Sequence, residues 1–474
     1  MKKLITLGIL ASQLAFGQSK EKQVEQFLLQ QMKDLRIPAL QAAVVQHGKI
    51  VFSKAYGTAN IQDNVPADKQ TIFAINSCTK SFTGVAIMQL VEAGKLELSA
   101  PVSRYLDGLP AQWQAVTINQ LLTHISGLPD ILRIQEPAGA ANEAATWEKV
   151  LAMPMDFPTG TQFSYNQTNY VLLGKIIDKL SGKPFAQFFQ ENQFDIAKMP
   201  NTVFGDSRDV IPHFAPTYNY KKYMDGHALP TEKLTNNYAE FFPSRRTGSG
   251  LNSTAEDMAR WVIALQEGKL LKTKAALTTM WTPTSHTNGT PTQWSLGWGI
   301  TKIRPKHKAV GMSGGGRSAF LVYPDDDLAV IVLTNLGGAS PENFLEELAG
   351  FYNPEIPASD PITVLRMELN KRGFDKAAEV LKEQKTKDAL FQPDENQLND
   401  WAYRLMSSNQ TDKALELFKL NITLYPESWN VYDSYGEALA RLGQKSEAIR
   451  MYQKSIDLNP NNRGGKQMLE RLSK

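Results

Sequence analysis

The sequence predicts an α+β domain followed by an all-helical repeat module. Three observations predict it. Strand-like segments stand at both ends of residues 20–350, with helical periodicity between them. The tail from about residue 360 is helix-rich. Within that tail, small, aromatic and proline positions recur every 34 residues. Strands at the two ends with helices between suit an antiparallel sheet flanked by helices and an all-α region.

In chain order, residues 1–17 read as a signal peptide. Lys2 and Lys3 form its basic end, residues 4–16 its apolar core, and Gly17-Gln18 a cleavage point. The apolar run is shorter than the ~20 residues of a membrane-spanning helix. An exported protein, periplasmic or extracellular, is expected. Residues 42–46 and 50–52 read as strands of a hairpin, with His47 in its turn. Residues 81–92 and 259–267 have helical spacing of their apolar positions. Residues 319–323 and 328–333 form a second hairpin around Pro324-Asp325-Asp326-Asp327.

The tail is read from its period. Ala414 and Ala448 are 34 apart, as are Phe418 and Tyr452, and Pro426 and Pro460. This resembles the tetratricopeptide repeat, a helix pair that buries small residues against its neighbour. Two repeats are expected at about 393–426 and 427–460. A degenerate third surrounds residues 373–378, and a capping helix surrounds 468–472. The division is an α+β domain at 20–350 and a repeat domain at 360–474, through which a protein or peptide partner would bind.

Composition narrows the function. Hydrophobic residues make up 42% and charged residues 21%, ordinary for a globular chain. With 51 basic and 48 acidic residues the net charge is +3, which gives no reason to expect nucleic acid or an anionic membrane as partner. The single cysteine, Cys78, excludes an internal disulfide. No H-E-x-x-H, paired C-x-x-C or phosphate loop is present, so no metal or cofactor is predicted.

Chemistry concentrates at Ser77-Cys78-Thr79-Lys80. Three residues apart on a helix, Ser77 and Lys80 share a face. Burial can lower a lysine until it serves as base for a neighbouring hydroxyl. This is the S-x-x-K of penicillin-binding proteins and serine beta-lactamases. Alone, it more often marks a solvated helix start. Further landmarks follow in order. Residues 121–129 read L-L-T-H-I-S-G-L-P, residues 158–174 read P-T-G-T-Q-F-S-Y-N-Q-T-N-Y-V-L-L-G, and residues 248–258 read G-S-G-L-N-S-T-A-E-D-M. Ser295-Leu296-Gly297-Trp298-Gly299 closes the series. Together they resemble class C-type beta-lactamases, low-molecular-mass penicillin-binding proteins and their esterase relatives over roughly residues 25–345.

The resemblance implies the roles. Ser77 is the nucleophile, and Tyr165 takes its proton and passes it to the leaving group, helped by Lys80. Gln167 stands where the family has an asparagine that contacts the lysine and the substrate. His124 is structural. The third family motif, K-T-G or H-x-G, falls on Met312-Ser313-Gly314, with Met312 in the cationic position. Gly314 lets substrate approach the strand, and the backbone N–H groups of Ser77 and Gly315 form the oxyanion hole. Gln167, Met312, Ser313, Gly314 and Gly315 make up the substrate-binding set. Methionine supplies neither charge nor donor, which favours small esters or uncharged amides over carboxylate-anchored substrates. Two alternatives stand beside this: a catalytically weakened scaffold or sensor that binds peptides or cell-wall fragments, and a true D-alanyl-D-alanine peptidase or beta-lactamase. Residues 311–315 also spell G-x-S-x-G, but all six histidines precede Ser313, against the order of an α/β-hydrolase.

Overall fold

The computed structural model describes residues 19–134, 142–224, 227–292 and 294–473. The signal peptide expected at residues 1–17 lies outside them. Among the described residues, seven strands form one antiparallel sheet. Its order is Val65–Pro66, Lys49–Asn60, Ala39–Gln46, Leu328–Thr334, Ser318–Tyr323, Ala309–Gly314 and Ile300–Lys302. The N-terminal hairpin therefore pairs with the C-terminal one, Val44 opposite Val330 and Leu40 opposite Thr334. His47 and Gly48 both have positive φ, 52° and 68°. Two such residues make the turn that matches the twist of its strands.

Side chains alternate across the sheet, and both faces are covered. Ala43, Val45, Ile331, Phe320 and Met312 face a core filled by the Thr79–Glu92, Gln167–Ser181 and Ala255–Gln266 helices. Ala42, Val44, Val330, Ala319 and Leu321 face a second core under the Lys20–Leu35 and Leu345–Gly350 helices. The Leu328–Thr334 strand, buried along its whole length, reads as an unbroken apolar run for that reason.

The Thr79–Glu92 helix is central, with residues 79–88 all buried. It begins two residues before the expected stretch, and the Ala255–Gln266 helix begins four residues earlier, capped by the Thr254 hydroxyl. Residues 295–299 resemble a strand by sequence but run as irregular backbone. Gly297 has φ 88°, and its carbonyl accepts from Ser81 Oγ of the central helix.

The tail consists of paired helices. Glu395–Ser407 packs on Thr411–Leu424, and Trp429–Arg441 on Lys445–Leu458, with Arg463–Ser473 beyond. Ala414, Ala448, Phe418 and Tyr452, which carry the period, are all buried. Pro361–Arg372 and Ala377–Lys387 form an earlier pair around residues 373–378. The tail meets the sheet domain through buried charges. Lys302 Nζ lies 3.0 Å from Asp360 and 3.4 Å from Glu346, and Arg304 lies 2.8 Å from Glu346.

Candidate active site

Ser77 sits on a single 3-10 turn, Asn76–Cys78, that runs directly into the central helix. Asn76 before it has φ 46°, the left-handed region that asparagine tolerates better than most residues. The turn lies against the end of the Ala309–Gly314 strand. A Cβ at Gly314 would overlap the Ile75 carbonyl and lie 2.9 Å from the Ser77 nitrogen, so only glycine permits this approach. Gly315 follows with φ 58°, against the Asn76 side chain.

Lys80 is fully buried, and its ammonium meets only uncharged acceptors. Nζ lies 3.4 Å from Ser77 Oγ, 3.2 Å from Gln167 Oε1 and 2.8 Å from the Gly248 carbonyl. The extra methylene of Gln167 is accommodated, because its amide oxygen still reaches the lysine. A Cβ at Gly248 would collide with that oxygen. The rings of Tyr165 and Tyr170 flank the ammonium at 4.5 and 4.9 Å from their centroids. Burial pushes the Lys80 pKa down to about 7, against the charge of Asp130, which favours the cation. At neutral pH a substantial fraction of Lys80 is a free amine.

Tyr165 OH lies 2.6 Å from Ser77 Oγ. Desolvation around the hydroxyl raises the phenol above its ordinary range although the residue as a whole is 37% exposed, and the bond to Ser77 only partly opposes this. Tyr165 is therefore a protonated donor in the resting site, and Lys80 faces its ring. The ring packs on His124, with centroids 4.5 Å apart. His124 Nδ1 accepts from the Asn166 N–H at 3.0 Å, which fixes the start of the Gln167–Ser181 helix. Burial lowers the His124 pKa well below its usual value, so the ring is neutral.

The strand side differs from the sequence expectation at two positions. Met312 is turned into the core, and its Sδ accepts the Gly299 N–H at 3.2 Å. It is filling, not a wall of the cleft, because an unbranched thioether satisfies a buried donor there. Ser313 points to the opposite face, since adjacent strand residues alternate. It lines a cavity of about 350 Å³ between the sheet and the tail helices, with Glu346, Arg366 and Arg404. The strand it lies on continues to another strand, so no α/β-hydrolase elbow exists there. The Cys78 thiol is buried, pushed up to about 12 by burial, and contacts the Met312 carbonyl at 3.6 Å.

Sequence reading missed three contributors. Asp130 accepts the Gln167 N–H at 3.2 Å and caps a short turn. It directly follows the L-L-x-H-x-S-G-L-P run, which was its signal. Trp294 packs against His124, Phe163 and Tyr165, and gives the site an aromatic lip. Arg317 lies just past the three glycines, buried, with its Nε 3.4 Å from where a Gly315 Cβ would stand. For these two only proximity to a motif could have served.

Known proteins share this fold. The beta-lactamase family model matches residues 24–350, and a tetratricopeptide repeat model matches 429–462. Penicillin-binding protein 4* of Bacillus subtilis is 30% identical over 300 residues, 61% of this chain and 66% of its own. Protein flp of Staphylococcus aureus strain MW2 is 24% identical over 338 residues, 69% of this chain and 66% of its own. The chain thus spans about two thirds, 66%, of the length of these relatives. Among solved structures, an octameric penicillin-binding protein homologue from Pyrococcus abyssi aligns with TM-score 0.60 and 25% identity, covering 74% of this chain and 81% of its own. A penicillin-binding protein from Bacillus halodurans aligns with TM-score 0.55 and 28% identity, covering 65% and 94%. The family model spans well over half of the chain, so the chain belongs to the beta-lactamase family, and it carries a tetratricopeptide repeat at residues 429–462.

Proposed function

We propose that this protein is an exported serine hydrolase that cleaves small esters or amides through an acyl-enzyme on Ser77. One observation carries the reading: a buried lysine, poised near neutrality, faces the serine hydroxyl with no carboxylate bonded to it. Ser77 Oγ attacks the substrate carbonyl carbon, and its proton passes to the Lys80 amine. The carbonyl oxygen becomes an oxyanion, held by the Ser77 and Gly315 N–H groups. Tyr165 gives its proton to the leaving group as the carbonyl re-forms, and Lys80 restores it. Water then attacks the acyl carbon and gives a proton to Lys80, and as the bond to Ser77 Oγ breaks that proton returns to the serine. This assigns the base to Lys80, where sequence resemblance alone had favoured Tyr165.

Gln167 holds the lysine's position, and the aromatic lip of Phe163, Tyr165 and Trp294 offers an apolar surface to an acyl or leaving group. The repeat region would bring the enzyme to a peptide or protein partner. The test is hydrolysis of p-nitrophenyl acetate or butyrate, with fluorophosphonate and penicillin labelling. Wild type should turn over the ester and be labelled at Ser77, and Ser77→Ala should do neither. Equal background rates in both proteins, with Ser77 unlabelled, would establish the scaffold reading instead.

A further inference from the structure

The cavity that Ser313 lines, about 350 Å³, is on the face of the sheet opposite to Met312, and none of Ser77, Lys80 or Tyr165 borders it. Both regions build its walls. Ser313 and Glu342 come from the sheet domain, Arg366 from the Pro361–Arg372 helix, and Asp400 and Arg404 from the Glu395–Ser407 helix. Its size is within the ~300–1,000 Å³ of small-molecule sites.

The charges on these walls are unevenly matched. Lys302 and Glu346 neutralise each other at 3.4 Å. Four other groups have no such match. Among the described residues, neither Arg366 nor Arg404 has a carboxylate within 4.0 Å, and neither Glu342 nor Asp400 has a cation within that distance. Both guanidiniums are nevertheless held in place by one residue. The Asn343 carbonyl accepts from Arg366 Nη1, and the Asn343 side-chain oxygen accepts from Arg404 Nε at 2.8 Å. Arg366 also stands over the Trp401 ring, 5.1 Å from its centroid. It is 7% exposed, and its Nε has no hydrogen-bond partner among the described residues. Glu342 Oε2 is likewise buried without a partner among them. Burial pushes the Glu342 carboxyl up, and the charges of Arg404 and Arg366 oppose this from beyond ion-pair distance. Buried charges without counter-charges are costly and call for a partner.

We infer that this cavity is a second binding site, for a small zwitterion of amino-acid or dipeptide kind. Its carboxylate meets Arg366 and Arg404, and its ammonium meets Glu342 and Asp400. Charge selects this class. Two positioned guanidinium forks suit a carboxylate, and the two unmatched carboxylates suit a cation on the same molecule. A simple anion would leave those carboxylates facing it. Arg366, Asp400 and Arg404 all lie beyond residues 24–350, so the family's domain alone does not form the site. Its occupancy does not depend on Ser77 chemistry.

Isothermal titration calorimetry of the full chain tests it with four probes: L-alanyl-L-alanine, its N-acetyl form, its C-terminal amide, and inorganic phosphate. The free dipeptide should bind, and blocking either end should weaken it at least tenfold. Phosphate should bind no better than the acetylated peptide. Arg404→Gln should weaken the dipeptide at least tenfold and Asp400→Asn several-fold, while Ser77→Ala should bind it as wild type does. Asp400 is exposed, so Asp400→Asn decides the matter should Arg404→Gln fail to fold. No binding of the dipeptide at millimolar concentration overturns the inference. So does phosphate or the acetylated peptide binding as tightly as the dipeptide, which would make the cavity a plain anion site. Dipeptide binding that neither joint substitution moves, or that Ser77→Ala abolishes, places the ligand elsewhere and overturns it too.

Discussion

Two lysines of this molecule, the fully buried Lys80 and the partly buried Lys302, have opposite surroundings. Lys80 is held by a hydroxyl, an amide oxygen and a backbone carbonyl, with two aromatic rings about it. Lys302 is held by the carboxylates of Asp360 and Glu346, where the tail joins the sheet domain. Burial alone would push Asp360 up, but Lys302 beside it holds its carboxyl below the usual range. The difference teaches what a buried cation is for. Neutral partners leave its proton loosely held and available for chemistry. Carboxylate partners fix the proton and turn the cation into a joint between two regions.

The largest effects should separate the two sites cleanly. Lys80→Met keeps the length and volume of the side chain and removes the amine. Ester kcat/KM should fall about a thousandfold, within the usual range for a general base. Far-UV circular dichroism and the unfolding midpoint should hold near wild type, because a buried charge has been removed and not a packed group. Loss of the fold in step with activity would make Lys80 a structural residue like Lys302. At the joint, Glu346→Ala leaves Lys302 and Arg304 sharing Asp360. Unfolding in urea should show a loss of about 3 kcal/mol. Fluorophosphonate labelling of Ser77 should persist below the new transition. A loss under 1 kcal/mol would mean that the joint is solvated like a surface pair.

Legibility in the sequence followed how local each cause was. The two hairpins, the central helix and the 34-residue period are written in neighbouring residues, and the fold could be read from them. Ser77, Lys80, Tyr165 and Gln167 were legible through ordered motifs, and the structure gathers all four around one ammonium. What escaped depends on three-dimensional surroundings. Strand alternation puts Ser313 on the wrong face, and the core claims Met312. Arg317 is an unremarkable arginine until its burial is known. The base proposed above was illegible too, since the proposal turns on how each group is desolvated.

Tyr165→Phe tests that assignment. With Lys80 as base, the phenol contributes one donated hydrogen bond and leaving-group protonation, and its loss should lower kcat about thirtyfold, at the lower end of acid–base contributions. A loss as large as that of Lys80→Met would return the base to Tyr165. The smallest effect is the most diagnostic. The active form of Lys80 is the free amine, which gains a proton as pH falls through about 7. Ester kcat/KM should therefore climb roughly tenfold per unit below that value, reach half its maximum near pH 7, and level off above it. The Tyr165→Phe variant should keep this inflection, because the titrating group is still present. An inflection that instead vanished with the phenol would mean that the proton being lost belongs to Tyr165, and that Lys80 holds its charge throughout.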